Sequence, residues 1–308
     1  MAELNLSDLN LAARSPENMI IEDERTYHDR ISRIAEYISS HSEIKLVLLA
    51  GPSGSGKTTT ANLIADGIRA LGEEAMVVSL DDFYRDHDDP NYPKNELGGH
   101  DYECPEALDL DELKVALENI SENRTFYLPK YDFKLGARVS RAEHPPIGHG
   151  CVIIEGLHAL NPIISENLPK ERVIKLFVSV STNINSDGRR ILSGRKIRFI
   201  RRLVRDSIYR GADAERTLSL WRGVLEAEDV YLYPYKYTAD LAFDTFHRFE
   251  LGAMRDRALR LLDAAGEDEY ARIVSCALGQ TEPIDTKKIP ENSLIREFIS
   301  GGIYDDIY

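Results

Sequence analysis

Short, uninterrupted apolar blocks alternate along this chain with longer stretches whose apolar residues return every three or four positions. The first pattern suits strands buried on both faces, and the second suits helices with one buried face. Apolar blocks at 45–50, 75–80, 151–155, 173–180 and 239–244 predict five strands. Helical spacing predicts helices over 24–40 (Ile31, Ile34, Ala35, Ile38), 58–71, 108–120, 198–209 and 250–265. Strands that alternate with helices imply an α/β fold, a parallel sheet with helices on both faces. Two segments break the alternation. Residues 83–104 are rich in Asp, Pro and Gly and read as an excursion; 124–143 read as a β-hairpin turning at Gly136. Residues 1–20 show no clear period and are expected to form a loose arm, and 301–308 carry no readable pattern.

Composition narrows the class. Hydrophobic residues make up 43% of the 308 and charged residues 29%, ordinary globular usage. Acids outnumber bases 52 to 38, a formal net charge of −14, so the surface as a whole repels nucleic acid and anionic lipid. Any anion site must therefore be local. Cys104, Cys151 and Cys276 are scattered, odd in number and without metal spacing. With no basic-then-apolar leader and no run of 18 apolar residues, the expectation is a cytoplasmic protein with neither nucleic-acid nor membrane partners.

The local anion site follows the first strand. Gly51, Gly56, Lys57 and Thr58 satisfy G-x-x-x-x-G-K-[ST] between an apolar block and a helix. Such a loop turns backbone N–H groups toward phosphate oxygens and adds the positive end of the following helix. Gly51, Ser53, Gly54, Ser55, Gly56, Lys57, Thr58 and Thr59 are thus candidate nucleotide-binding residues, for ATP. Lys57 supplies charge to the outer phosphates, and the Thr58 hydroxyl suits Mg²⁺. No Asn-Lys-x-Asp guanine reader is present.

Two strands end in acids. Asp81 and Asp82 follow the second, and Glu155 closes the third. Ligands of doubly wound sheets bind at those ends. Asp81 can take a proton from an attacking hydroxyl, and Asp81 and Glu155 can help hold Mg²⁺. Further on, Arg198, Arg201, Arg202 and Arg205 share one helix face, with Ile197, Phe199, Ile200, Leu203 and Val204 opposite and Arg210 just beyond. Such a face, on a hinged lid, would stabilise transferring phosphate charge and exclude water.

In this order the phosphate loop, Asp81 to Tyr84, Tyr131-Asp132-Phe133, Glu155-Gly156 and the Arg201-Arg202-x-x-Arg205-Asp206 helix with Arg210 resemble the uridine kinase/phosphoribulokinase family over about 45–245. The stretch 289–298 is also similar to the tail of a bacterial uridine kinase-like branch. The resemblance implies a P-loop kinase with a hairpin over the acceptor site. It implies a core at 45–265 flanked by an N-terminal arm and helix (1–44) and a C-terminal extension (266–308), with the lid at about 187–216. It implies Asp81 as general base, with Lys57, Arg202, Arg205 and Arg210 on the transferring phosphate. Tyr84, Glu103, Tyr131 and Phe133 would lie at the acceptor, and Arg138 is a candidate there too. Homo-oligomers are common in the family and are an expectation here.

The match has departures. Pyrimidine nucleoside kinases carry a base-reading His where this chain has Gly136, a Gln where it has Leu220, and a further lid arginine where it has Ala212. The expected reaction is transfer of the ATP γ-phosphate to a small acceptor, first a nucleoside 5′-hydroxyl. A sugar phosphate, pantothenate or glycerate stays open as acceptor, as does a regulator that binds ATP without turnover.

Overall fold

A computed structural model describes residues 2–95, 98–266 and 268–307. In chain order its strands are β1 (Glu3–Asn5), β2 (Leu46–Ala50), β3 (Ala75–Ser79), β4 (Phe126–Asp132), β5 (Ala137–His144), β6 (Cys151–Gly156), β7 (Val173–Ser179), β8 (Asn183–Ser186), β9 (Arg189–Leu192) and β10 (Leu241–Asp244). The helices are α1 (Leu6–Ala13), α2 (Pro16–Ser40), α3 (Lys57–Ala70), α4 (Leu110–Ser121), α5 (Pro162–Ser165), α6 (Gly194–Tyr209), α7 (Ala214–Tyr231), α8 (Glu250–Asp263), α9 (Glu269–Gly279) and α10 (Arg296–Ile299).

The central sheet has five parallel strands in the order β10-β7-β2-β6-β3, matching the expected α/β core. Every residue of β2 and β6 is buried, as the unbroken apolar runs require. Alternate residues serve the two faces. Val47, Leu49, Ile153 and Leu176 pack with Ile64 and Ile68 of α3 and Ile34 and Ile38 of α2. Leu46, Leu48, Val152 and Ile154 pack with Leu113, Leu117 and Ile120 of α4. Leu49 and Ser79 both stand in register with Glu155, so the ends of β2, β3 and β6 reach one edge together. The chain leaves β2 toward one side and after β6 crosses to the other. The loop 51–56 opens at that reversal, where ligands of such sheets bind.

The N-terminal expectation needs correction. Residues 3–5 pair in parallel with β8, in a small sheet of order β1-β8-β9, and α1 and α2 follow almost without a break. Leu6, Leu9, Ala13, Met19 and Ile20 are buried in the same core as α3. The helical face was hidden in the sequence because Pro16 restarts it: Pro at the first turn begins α2 and divides the period. The hairpin forms as β4 and β5, with Gly136 in its turn at φ +65°. The arginine helix is longer than its expected span, running from Gly194, and is followed by α7, which the spacing did not reveal.

Candidate functional site

The site is a cavity of about 240 Å³ at the carboxyl edge of the sheet. Its walls come from the phosphate loop, the ends of β3 and β6, the excursion, α6 and the C-terminal segment. Of the residues expected from sequence, Ser53, Gly54, Ser55, Gly56, Lys57, Thr58, Asp81, Tyr84, Glu103, Glu155, Arg202, Arg205 and Arg210 line it.

The loop is held from behind by its carbonyls. Arg198 donates to Ser53 O at 2.8 Å, Arg201 to Gly54 O at 3.2 Å, and Thr245 Oγ1 to Ser55 O at 2.8 Å. Gly56 sits at φ +82°, a conformation that L side chains rarely adopt, and starts α3. Lys57 Nζ donates to Pro52 O at a long 3.4 Å, and no ion pair holds it among the described residues. That leaves its charge available to an anion.

Here the arginine face divides, correcting the expectation of one continuous wall. Arg198 and Arg201 are fully buried, in bidentate pairs with Glu228 and Glu250. They brace the loop and do not meet a ligand. Arg202, Arg205 and Arg210 face the cavity and converge on one carboxylate, Asp206, at 3.2, 3.2 and 3.3 Å. Arg202 also donates to Ser53 Oγ at 3.1 Å. Burial pushes the Arg202 pKa down, Asp206 opposing and Arg205 adding to the shift. A bound anion would relieve that crowding of cations.

The acids line the same cavity. Thr58 Oγ1 donates to Glu155 Oε1 at 3.1 Å, and Glu155 is 6% exposed. Burial pushes its pKa up to about 7, Lys57 opposing and the charge of Asp81 adding. Asp81 is reached by solvent, yet the protein packed around it raises its carboxyl pKa, with Lys57 opposing and Asp82 adding. Asp82 turns away and fastens the hairpin, accepting from Lys130 Nζ and from Tyr131 N–H at 3.3 Å. Burial also raises the Glu103 carboxyl, against Arg202.

Five expected residues do not reach the cavity wall. Gly51 is buried behind the loop, and Thr59 donates its hydroxyl to Glu297 Oε2 at 2.9 Å. Tyr131 and Phe133 stand one layer out, their rings 5.7 and 5.8 Å from that of Tyr84. Arg138 ties the hairpin to α4 through Glu112 and Asp109, at 2.5 and 3.1 Å, and is spent there. The departures also gain a physical account. A Cβ on Gly136 would fall 2.3 Å from His87 Nδ1, so the excursion already fills that space. Leu220 is 51% exposed on α7, and Val224, one turn on, lines the cavity instead.

Asp206 stood in the arginine motif without a role assigned to it, and two polar residues escaped the sequence reading. His158, three residues past Glu155, lines the cavity at 5% exposure; burial drives its pKa down to about 4, opposed by a hydrogen bond with the Glu103 backbone. Its Nδ1 has no protein partner. Glu297 arrives from the C-terminal segment, and nothing near the loop in sequence announces it.

The donor set suits Mg²⁺. One hydroxyl and one or two carboxylates, completed by phosphate oxygens and water, is how that ion is bound at phosphoryl-transfer sites.

Residues 46–251 match the model of the phosphoribulokinase/uridine kinase family. A uridine kinase of Schizosaccharomyces pombe is 30% identical over 207 residues, 67% of this chain and 40% of that protein. One of Lactobacillus helveticus is 28% identical over 197 residues, 64% of this chain and 84% of its own length. One of Deinococcus deserti is 28% identical over 228 residues, 74% of this chain and 97% of its own length. With two thirds of its length matched by the family model and the loop, acids and arginines gathered at one cavity, the chain belongs to the phosphoribulokinase/uridine kinase family of ATP-dependent small-molecule kinases.

Proposed function

We propose that this protein transfers the γ-phosphate of ATP to a hydroxyl of a small acceptor, with a nucleoside 5′-hydroxyl as the first candidate. The observation that carries the reading is the gathering, in one cavity, of a carboxylate with a raised pKa (Asp81) with Lys57 and three convergent arginines.

In this reading the acceptor hydroxyl gives its proton to the Asp81 carboxylate as its oxygen attacks the γ-phosphorus. The bond from that phosphorus to the β-bridging oxygen breaks, and ADP leaves. A raised pKa makes Asp81 a better base for that proton than a surface aspartate. Lys57, Arg202, Arg205 and Arg210 offset charge on the transferring group and the leaving oxygen. Thr58 would hold Mg²⁺ with Glu155 and Asp81, and the ion, when bound, neutralises phosphate charge. Glu103, Tyr84 and His158 also line the cavity and would meet the acceptor.

The occupied space at Gly136 and the outward Leu220 keep a second acceptor class in play, another hydroxylated metabolite such as a sugar phosphate, pantothenate or glycerate. ADP release with Mg·ATP and a panel of uridine, cytidine, adenosine, guanosine, ribulose 5-phosphate, pantothenate and glycerate separates them. Turnover with one member, falling at least about 100-fold in Asp81→Asn while nucleotide binding persists, is the expected result. Nucleotide binding with no acceptor-dependent ADP release would instead favour a regulator.

A further inference from the structure

Residues 289–299 fold back onto the phosphate loop, and three side chains of this short stretch touch the loop or its supports. Leu294 is fully buried against the outer side of Gly56, where a Cβ would fall 2.6 Å from Leu294 Cδ1. The Phe298 ring lies 4.9 Å from the guanidinium of Arg201, the residue that holds Gly54 O. Glu297, 4% exposed, accepts from Thr59 Oγ1 at 2.9 Å with one oxygen and pairs with Arg205 Nη1 at 3.4 Å with the other.

The segment is itself well anchored. Ser293 Oγ accepts from Ile295 N–H at 3.1 Å, and Arg296 donates to Ser300 O and Thr286 O, both at 3.0 Å. Further on, Tyr209 Oη, near the end of α6, donates to Asp305 Oδ1 at 2.9 Å.

A carboxylate on the wall of a cavity that must receive a polyphosphate repels its ligand unless it is neutralised and used. Glu297 is both. Arg205 is gripped at Nε by Asp206 and at Nη1 by Glu297, so its planar fork is fixed before any ligand arrives. The same carboxylate fixes the hydroxyl rotor of Thr59 in the first turn of α3.

We propose that Glu297 is a positioning residue of the nucleotide site, and that docking of the segment 289–299 and nucleotide binding are coupled through it. The inference rests on the nucleotide reading above. Linkage makes the coupling reciprocal: if the docked segment favours nucleotide, nucleotide must favour the docked segment.

The test measures Mg·ADP affinity by calorimetry on the full chain and amide hydrogen exchange over 293–300, for wild type, Glu297→Gln and Glu297→Ala. Mg·ADP is expected to slow exchange in that segment of the wild type. Glu297→Ala is expected to weaken Mg·ADP binding about tenfold and to abolish the slowing. Glu297→Gln keeps an acceptor for Thr59 but no charge for Arg205, and should fall between. If the alanine variant does not fold, the glutamine variant, checked for a wild-type Tm, decides alone. Wild-type or tighter affinity in the folded variants, or exchange that ignores nucleotide in the wild type, overturns the coupling and leaves the kinase reading intact. A wild type that does not bind Mg·ADP at all overturns both.

Discussion

Glu155 offers a prediction in which stability and function pull apart. Its carboxylate is buried beside Thr58, and its pKa is pushed up to about 7 from the usual 4.5. The folded protein therefore holds this proton more tightly than the unfolded chain does. Between the two values, stability falls as pH rises, because the folded state binds more protons than the unfolded one. Below about pH 4.5 both states are protonated and there is no cost; above about pH 7 the full cost of the buried charge is present. At 1.36 kcal/mol per pKa unit that cost is roughly 3 kcal/mol. Glu155→Gln keeps an acceptor for the Thr58 hydroxyl and removes the charge. At an unfolding entropy of about 2.1 cal/mol/K per residue, a chain of 308 residues gains roughly 5 °C in Tm from that change. The assay is thermal unfolding of wild type and Glu155→Gln from pH 5 to pH 9 without nucleotide. The Tm difference should be small at pH 5, grow through pH 6–7 and level off above. The variant should at the same time lose most of its turnover with Mg·ATP, since the charge is then missing where the metal is to be held. A Tm difference that is flat with pH, or negative at pH 8, refutes the reasoning.

Other outcomes follow from the same geometry. Glu228→Ala strands the fully buried Arg198 guanidinium and frees Ser53 N–H, which donates to Glu228 Oε1 at 2.9 Å. It should cost roughly 3–5 kcal/mol in chemical denaturation, whereas Arg198→Met combined with Glu228→Leu should recover a large part of the loss. His158, with its pKa near 4, is neutral at working pH, and its Nδ1 has no hydrogen-bond partner in the protein. His158→Leu should raise the acceptor KM about fivefold with the ATP KM unchanged, and His158→Asn, which keeps a polar atom near that position, should restore most of it. Equal KM values for acceptor in wild type and His158→Leu would remove His158 from the acceptor side.

How much of this was legible beforehand depends on the range of the interaction. The phosphate loop is contiguous, and its chemistry follows from residues that are neighbours in the chain, so 51–58 could be read without coordinates. The five core strands were legible because each is written as a short, mostly apolar block, and the central β2 and β6 are buried along their whole length. Asp81 and Glu155 could be placed at one edge because parallel strands align their carboxyl ends, and the register of Ser79 and Leu49 with Glu155 bears this out.

What the sequence could not decide is which of several equivalent charges meets which partner. Four arginines at helical spacing share a face, but that face is wide. Whether a guanidinium reaches the cavity or a buried acid depends on where α7 and α8 bring Glu228 and Glu250. Arg138, a candidate at the acceptor from the sequence, is claimed by Asp109 and Glu112 of the neighbouring helix region. His87 fills the place beside Gly136 from another loop, and Glu297 enters the cavity from far along the chain. The sequence by itself determined the local phosphate chemistry and the layered core, since both arise from spacing and burial pattern. Only the tertiary structure decided how the charges pair, because pairing depends on the packing of elements that share no local signal.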